Sequence, residues 1–155
     1  MASFTYQRTN KVLLIYTGGT IGMGQNPTTG ALEPLDFNHL VENLPEFKYL
    51  KTGIEVYQFA SPIDSSDMAP RLWAHLVGII ADNYDSYDGF VILHGTDTMA
   101  YTGSMLSFLL KNLAKPVVLT GAQAPMVNPR SDGLQNLINS IYIAGHELFD
   151  IPLIP

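Results

Sequence analysis

GFVILHGTDTM, residues 89–99, is a short apolar run that breaks into a histidine, a glycine and a hydroxyl beside a carboxylate. Gly89 to Leu93 holds two β-branched residues, Val91 and Ile92, and follows the polar Asp85, Ser86 and Asp88, a pattern that suits a buried strand. Beyond it, Met99, Leu106, Leu109 and Leu110 recur at roughly helical spacing, with Asp97 or Thr98 as N-cap. Thr96 and Asp97 are therefore expected at a strand's C-terminal end, where a helix opens. In open α/β sheets that end borders the ligand crevice.

The same grammar recurs along the chain. KVLLIY, residues 11–16, has no polar alternation, as expected of a strand covered by helices on both faces. Thr17-Gly18-Gly19-Thr20 follows it; the two glycines allow positive φ or close backbone approach and place the Thr20 hydroxyl just past the strand. Gly22 to Pro34, rich in Gly, Pro, Asn and Thr, reads as a long polar loop beside that position. Asp36 begins a short helix with Phe37, Leu40, Val41 and Leu44 on one face and Pro45 beyond its end.

Ile54 to Phe59 is the next strand, after which Asp64-Ser65-Ser66-Asp67 is expected to cap a helix through Leu72, Leu76, Ile79 and Ile80. Val117 to Leu119 ends in Thr120-Gly121-Ala122-Gln123, and Ser131 caps a last helix through Leu134, Leu137, Ile138, Ile141 and Tyr142. Four strands alternating with helices give βαβ units and an α/β fold: an open, mostly parallel sheet flanked by helices in three layers, Rossmann-like or flavodoxin-like. All four turns after the strands are rich in Thr, Ser, Gly and Asp, and a parallel sheet gathers them on one edge.

The chain of 155 residues is one domain by length and large enough to bury a core. Eight basic residues against fourteen acidic ones give a net charge of −6, which argues against a nucleic-acid partner. The absence of cysteine removes disulfides, thiolate metal sites and cysteine nucleophiles together. The first apolar run, Val12 to Tyr16, is too short for a signal-peptide core or a membrane span, so a cytoplasmic protein away from membranes is expected.

The shared edge offers hydroxyls at Thr17, Thr20, Ser65, Ser66, Thr96 and Thr120, and carboxylates at Asp64, Asp67 and Asp97. His94 belongs to the buried end of its strand and reads as a hydrogen-bonded packing residue, which argues against a Ser-His-Asp triad. No metal site is expected, because His39, His75 and His146 lie on helices far apart in sequence. A threonine nucleophile remains, and lysine is the obvious base for it. Yet Lys11, Lys48, Lys51, Lys111 and Lys115 all precede strands or close a helix, toward the opposite edge.

TGGTIG at Thr17 to Gly22, SSDM at Ser65 to Met68, HGTDTM at His94 to Met99 and TGAQAP at Thr120 to Pro125 resemble, in order and approximate spacing, the bacterial-type L-asparaginases. The likeness is to the cytoplasmic type I branch, through Ile63 to Met68 and the Met99-Ala100-Tyr101 continuation, and it runs from about Lys11 to the end. The resemblance implies hydrolysis of the asparagine side-chain amide to aspartate and ammonia through a threonine acyl-enzyme, without metal or cofactor. It makes Thr20 the nucleophile and Thr96 the second catalytic threonine, whose backbone N–H helps to bind the oxyanion. Asp97 would receive the substrate's α-ammonium group, Ser65 its α-carboxylate with Ser66 as polar neighbour, and Ala122 would face the amide through its carbonyl. Gly19 joins these as a substrate-binding position, and Gly22 to Pro34 matches the family's mobile lid.

Two departures from the family stand out. The lid stretch Thr28 to Pro34 has no tyrosine, Ala31 being the nearest match, and the lysine that completes a relay with Thr96 and Asp97 would lie beyond the last helix. Ile151 to Pro155 reads as the start of a further strand. Residues 1–155 are accordingly expected to be the N-terminal domain of a longer enzyme, with the C-terminal domain absent and little or no activity alone. The implied partners are asparagine, with glutamine as a second substrate, and further copies of the full-length chain in a homo-oligomer. Two other readings stand beside this one: an amino-acid binding module that keeps Ser65 and Asp97 but lacks the base, and, ranked last, a nucleotide-binding domain with Asp64 at the ribose.

Overall fold

The computed structural model describes residues 10–26, 28–37, 40 and 44–145. At its centre β1, Lys11–Tyr16, is buried at every position after Lys11 because it has a parallel strand on each side. These are β4, Gly53–Gln58, and β5, Gly89–Leu93; β6, Val117–Thr120, pairs in parallel with β5. The sheet order is β4-β1-β5-β6, so the chain steps outward on one side of β1 and then crosses to the other. That is the start of the flavodoxin-like arrangement, with its switch point between β1 and β5.

Alternation along the strands divides the core into two layers. Val12, Leu14 and Tyr16 join Val91 and Leu93 beneath Leu137 and Ile141 of α3, Gly133–Gly145. Leu13 and Ile15 join Phe90 and Ile92 beneath Leu76, Ile79 and Ile80 of α1, Pro70–Asn83, and Leu106 of α2, Met99–Leu109. The expected three-layer α/β architecture is thus the observed one.

Several local expectations change. Gly22 to Pro34 is a β-hairpin, not an irregular loop: β2, Met23–Gln25, pairs antiparallel with β3, Leu32–Pro34. Its turn is organised by Asn26, whose side-chain oxygen accepts from Thr28 N–H at 2.8 Å and Thr29 N–H at 3.1 Å, and by Gly30 at φ 72°. Strands of three residues containing Gly24 and Pro34 leave too little hydrophobic alternation to be read from sequence.

The Asp64–Asp67 cluster does not cap α1. Asp64 caps the short 3₁₀ turn Ser65–Asp67, whereas α1 starts after Ala69 with Pro70 in its first turn. After Asp36, Leu40 N–H bonds the Asp36 carbonyl and Leu44 N–H the Leu40 carbonyl, both 3.1 Å, at helical spacing. Pro45 then opens a second 3₁₀ helix, Pro45–Tyr49, instead of simply following a helix end. Val41, His39, His146 and Ile151 to Pro155 lie outside the described residues.

Two glycines test this packing in opposite directions. A Cβ at Gly78, inside α1, meets nothing within 4 Å, whereas one at Gly89 runs into the Ala144 backbone of α3. Gly78→Ala should raise stability by about 0.5–1 kcal/mol. Gly89→Ala should lower it by about 1–3 kcal/mol through overpacking. Urea-unfolding midpoints read both, and a Gly89→Ala midpoint equal to wild type would contradict the close seating of β5 on α3.

Candidate active site at the switch point of the sheet

The turns that follow β1 and β5 are bonded to each other directly. The Thr17 N–H and hydroxyl both donate to the Leu93 carbonyl, at 3.1 and 2.8 Å, while the Thr17 carbonyl accepts from Ile63 N–H at 2.7 Å. One residue therefore ties the end of β1 to the end of β5 and to the turn that follows β4. The following glycines have φ of 140° at Gly18 and 90° at Gly19, a region side chains rarely enter. A Cβ at Gly18 would strike the Ile63 carbonyl, and one at Gly19 would stand 2.6 Å from the Gly95 nitrogen.

Gly95 continues the series: a Cβ there would lie 2.5 Å from the Ser65 hydroxyl oxygen. On the far side, a Cβ at Gly121 would stand 3.3 Å from Thr96 Cγ2, which brings the turn after β6 against Thr96. The structure thereby gathers the turns bearing Gly19 and Thr20, Ser65 and Ser66, Thr96 and Asp97, and Ala122. Within that group the side chains differ. Thr20 opens the 3₁₀ turn Thr20–Gly22 and is half-buried, as is Thr96; Ser65 and Ala122 are buried, and Asp97 is exposed.

Ser66 is exposed and its hydroxyl donates to Asp64 at 2.8 Å, with its N–H on the same carboxylate oxygen at 2.9 Å. Those two bonds hold the Asp64 carboxyl below its ordinary range. Thr98 takes the N-cap position of α2, but its side chain makes no capping bond; its hydroxyl donates to the Ser65 carbonyl at 2.7 Å. The expected cap is thus a tie between two site turns.

Two supporting clusters were not foreseen from sequence. Asp132 accepts from Gln123 N–H at 3.1 Å and from the Asn136 side chain at 3.2 Å, and Asn136 also donates to the Gly121 carbonyl at 3.0 Å. Asp132, whose carbonyl accepts from Asn136 N–H at 3.0 Å, holds the N-cap position of α3 in place of the expected Ser131; Ser131, one residue earlier, accepts from Gly133 N–H at 2.9 Å and donates to the Ala124 carbonyl at 2.8 Å. Ser131-Asp132-Gly133 signals a helix start in sequence; its grip on the turn after β6 does not show there.

The second cluster surrounds His94, which is 1% exposed. Its Nδ1 lies 2.6 Å from the Gly95 carbonyl and its Nε2 2.9 Å from the Thr102 hydroxyl, which also accepts from the Trp73 indole N–H at 2.9 Å. Since the carbonyl only accepts, Nδ1 carries the proton and Nε2 accepts from Thr102. Burial holds the imidazole below its ordinary range, and the Gly95 carbonyl offsets this only in part. His94 is the hydrogen-bonded packing residue expected of it.

At the opposite ends of the strands, Lys11 pairs with Glu55 at 3.4 Å, and Lys115 donates to the Tyr84 carbonyl with its ammonium 4.6 Å from the Tyr84 ring centre. Among the described residues no group of three or more His, Asp or Glu is arranged to hold a metal ion, and no helix is long and apolar enough to cross a membrane.

Fold and crevice together define an α/β domain whose switch point carries two threonine turns and an exposed carboxylate. Comparison with known proteins places it more narrowly. The family model described as Asparaginase, N-terminal matches residues 11–152, and the chain belongs to that family. It is 46% identical over 141 residues to L-asparaginase 1 of Escherichia coli K12, covering 87% of this chain and 40% of that protein.

The crystal structure of L-asparaginase I from Vibrio cholerae superposes with a TM-score of 0.81 at 43% identity, covering 90% of this chain and 42% of that one. A probable cytoplasmic L-asparaginase from Campylobacter jejuni superposes with a TM-score of 0.71 at 32% identity, covering 89% and 40%. The chain thus spans about two-fifths of the length of these relatives.

The buried imidazole has a consequence for stability. His94 titrates below an unfolded histidine at about 6.5, so unfolding takes up a proton as pH falls through that range. Its contribution is fully present above the unfolded value and declines below it. The melting temperature should fall between about pH 7.5 and about pH 5.5, and His94→Asn should flatten that decline. Equal slopes in the two proteins would mean that His94 protonates without cost in the fold.

Proposed function

We propose that this chain supplies the N-terminal domain of an L-asparaginase, which hydrolyses the side-chain amide of asparagine to aspartate and ammonia. The observation that carries the reading is the stapling of the Thr17–Thr20 turn to the Gly95–Asp97 turn across the β1–β5 switch point. It brings the backbone of the turn that bears Thr20 against the turn that bears Thr96 and Asp97, which supports a hydroxyl, a second threonine and a carboxylate serving one site.

In this reading Thr20 is the nucleophile. Its oxygen attacks the amide carbon, its proton passes to the leaving nitrogen, ammonia departs, and water then opens the ester to give aspartate and restore the hydroxyl. The Thr96 N–H receives the oxyanion. Asp97, exposed at the mouth, takes the α-ammonium group, and Ser65, with Ser66 beside it, the α-carboxylate. Gly19 lines the crevice through its backbone, and the Ala122 carbonyl faces the amide.

Glutamine is the second substrate, the chain acts in the cytoplasm, and the longer enzyme is a homo-oligomer. The family match and the relatives' names support the reaction; the C. jejuni relative's description supports the compartment. An amino-acid binding module without catalysis is the second reading, favoured by Lys11 and Lys115 being engaged at the opposite end of the sheet.

Ammonia release from asparagine, with aspartate binding by calorimetry, separates the two. Under the catalytic reading Thr20→Ala should lower turnover by on the order of 10³ or more while aspartate still binds. Aspartate binding by wild type with ammonia release no greater than that of Thr20→Ala would make the chain by itself a binding module with an incomplete active site.

A further inference from the structure

The Gly95–Thr96 peptide carries both a carbonyl and the N–H to which the oxyanion is assigned above. None of the described peptide bonds is cis, and in a trans peptide the C=O and the following N–H point in opposite directions. The Gly95 carbonyl is turned toward the buried ring of His94, 2.6 Å from Nδ1. The Thr96 N–H is therefore directed away from that ring. Whatever fixes the carbonyl also aims the N–H.

His94 is itself fixed. The Gly95 carbonyl can only accept, so Nδ1 carries the proton of the neutral ring and Nε2 accepts from the Thr102 hydroxyl, whose oxygen in turn accepts from the Trp73 indole N–H. The Thr102 and Trp73 bonds match this tautomer, which turns Nδ1–H to the Gly95 carbonyl. The chain runs from α1 through α2 to the turn after β5, and Thr102 and His94 are buried along it. Such a chain holds direction because each donor has one acceptor, and a bond to a peptide carbonyl polarises the N–H of the same peptide.

We propose that His94 is a positioning residue, which, oriented by Thr102 and Trp73, locks the Gly95–Thr96 peptide so that its N–H is preset to receive the oxyanion. It touches no reacting atom. The proposal rests on the reading that the Thr96 N–H serves that role, and its test keeps the two apart.

The first measurement is a long-range ¹H–¹⁵N spectrum of the labelled chain, with the His94 signals assigned by their loss in His94→Asn. A proton on Nδ1 throughout about pH 6 to 8 is expected; a proton on Nε2, or a doubly protonated ring, overturns the proposal. Kinetics follow. Thr102→Val and His94→Leu should lower kcat for asparagine about tenfold to a hundredfold, less than the ~10²–10³ seen when an oxyanion donor is deleted outright, with KM nearly unchanged. Thr102→Ser should restore the rate, and so should His94→Asn, whose amide nitrogen can stand where Nδ1 stands.

Full activity in Thr102→Val, or equal rates for His94→Leu and His94→Asn at matched stability, overturns the proposal. If the wild-type chain releases no ammonia, catalysis by this chain alone is what has failed. The Thr96 amide resonance then decides: it should move upfield in Thr102→Val and His94→Leu and stay in place in the two conservative variants. An unmoved resonance in all four overturns the proposal.

Discussion

Where the turns after β1, β4 and β5 come together, three glycines lie so close to their neighbours that none has room for a Cβ. Gly18 lies on the Ile63 carbonyl, Gly19 on the Gly95 nitrogen and Gly95 on the Ser65 hydroxyl. The proposed site residues on these three turns, Gly19, Thr20, Ser65, Ser66, Thr96 and Asp97, depend on that closeness to lie near one another from separate strands. A methyl at Gly18 or Gly19 would add the strain of a positive φ to a steric clash, so neither position has a second solution. The glycines set the distance; Thr17, with both of its donors on Leu93 and its carbonyl on Ile63, sets the orientation.

This arrangement puts rigidity and charge in different places. Thr17, Ser65, His94 and Ala122 are buried and bound into the fold, while Asp97 and Ser66 stand at the exposed mouth. A buried, prearranged donor is worth most where charge develops during a reaction, since no water or side chain has to reorganise around it. A carboxylate in open solvent is suited to capturing a charged group and weakly suited to anything finer, because water screens it. Under the function proposed above, exposed Asp97 is the group that would meet a permanent ammonium charge.

The strands and three main helices were legible because their hydrophobic periodicity is unambiguous: Val12 to Tyr16 and Gly89 to Leu93 are buried throughout, and Leu76, Ile79 and Ile80 share one face. The common edge followed from topology alone. What escaped reading was short or reached across the chain. The β2–β3 hairpin has only three residues a side, and nothing local to Asp132 announces that it holds Gln123, nine positions earlier. Nothing in the sequence around Thr102 marks it, since its partners, His94 and Trp73, are brought to it only by the packing of α2 against α1 and the end of β5.

The alternation that sorts the core also aligns the site. β1 is pinned to β5 at both ends: Lys11 exchanges bonds with Asp88, its N–H to the carboxylate and its carbonyl to the Asp88 N–H, both 2.7 Å, and Thr17 bonds Leu93. Between them the register runs from Val12 opposite Gly89 to Tyr16 opposite Leu93. A slip of one residue would send Val12, Leu14 and Tyr16 to the α1 side and move Thr17 off Leu93, so core and crevice would be lost together. Gly89 enforces the same register from outside, because only a residue without a side chain passes the Ala144 backbone there. The two threonine turns face each other because the strands beneath them have only one way to pair.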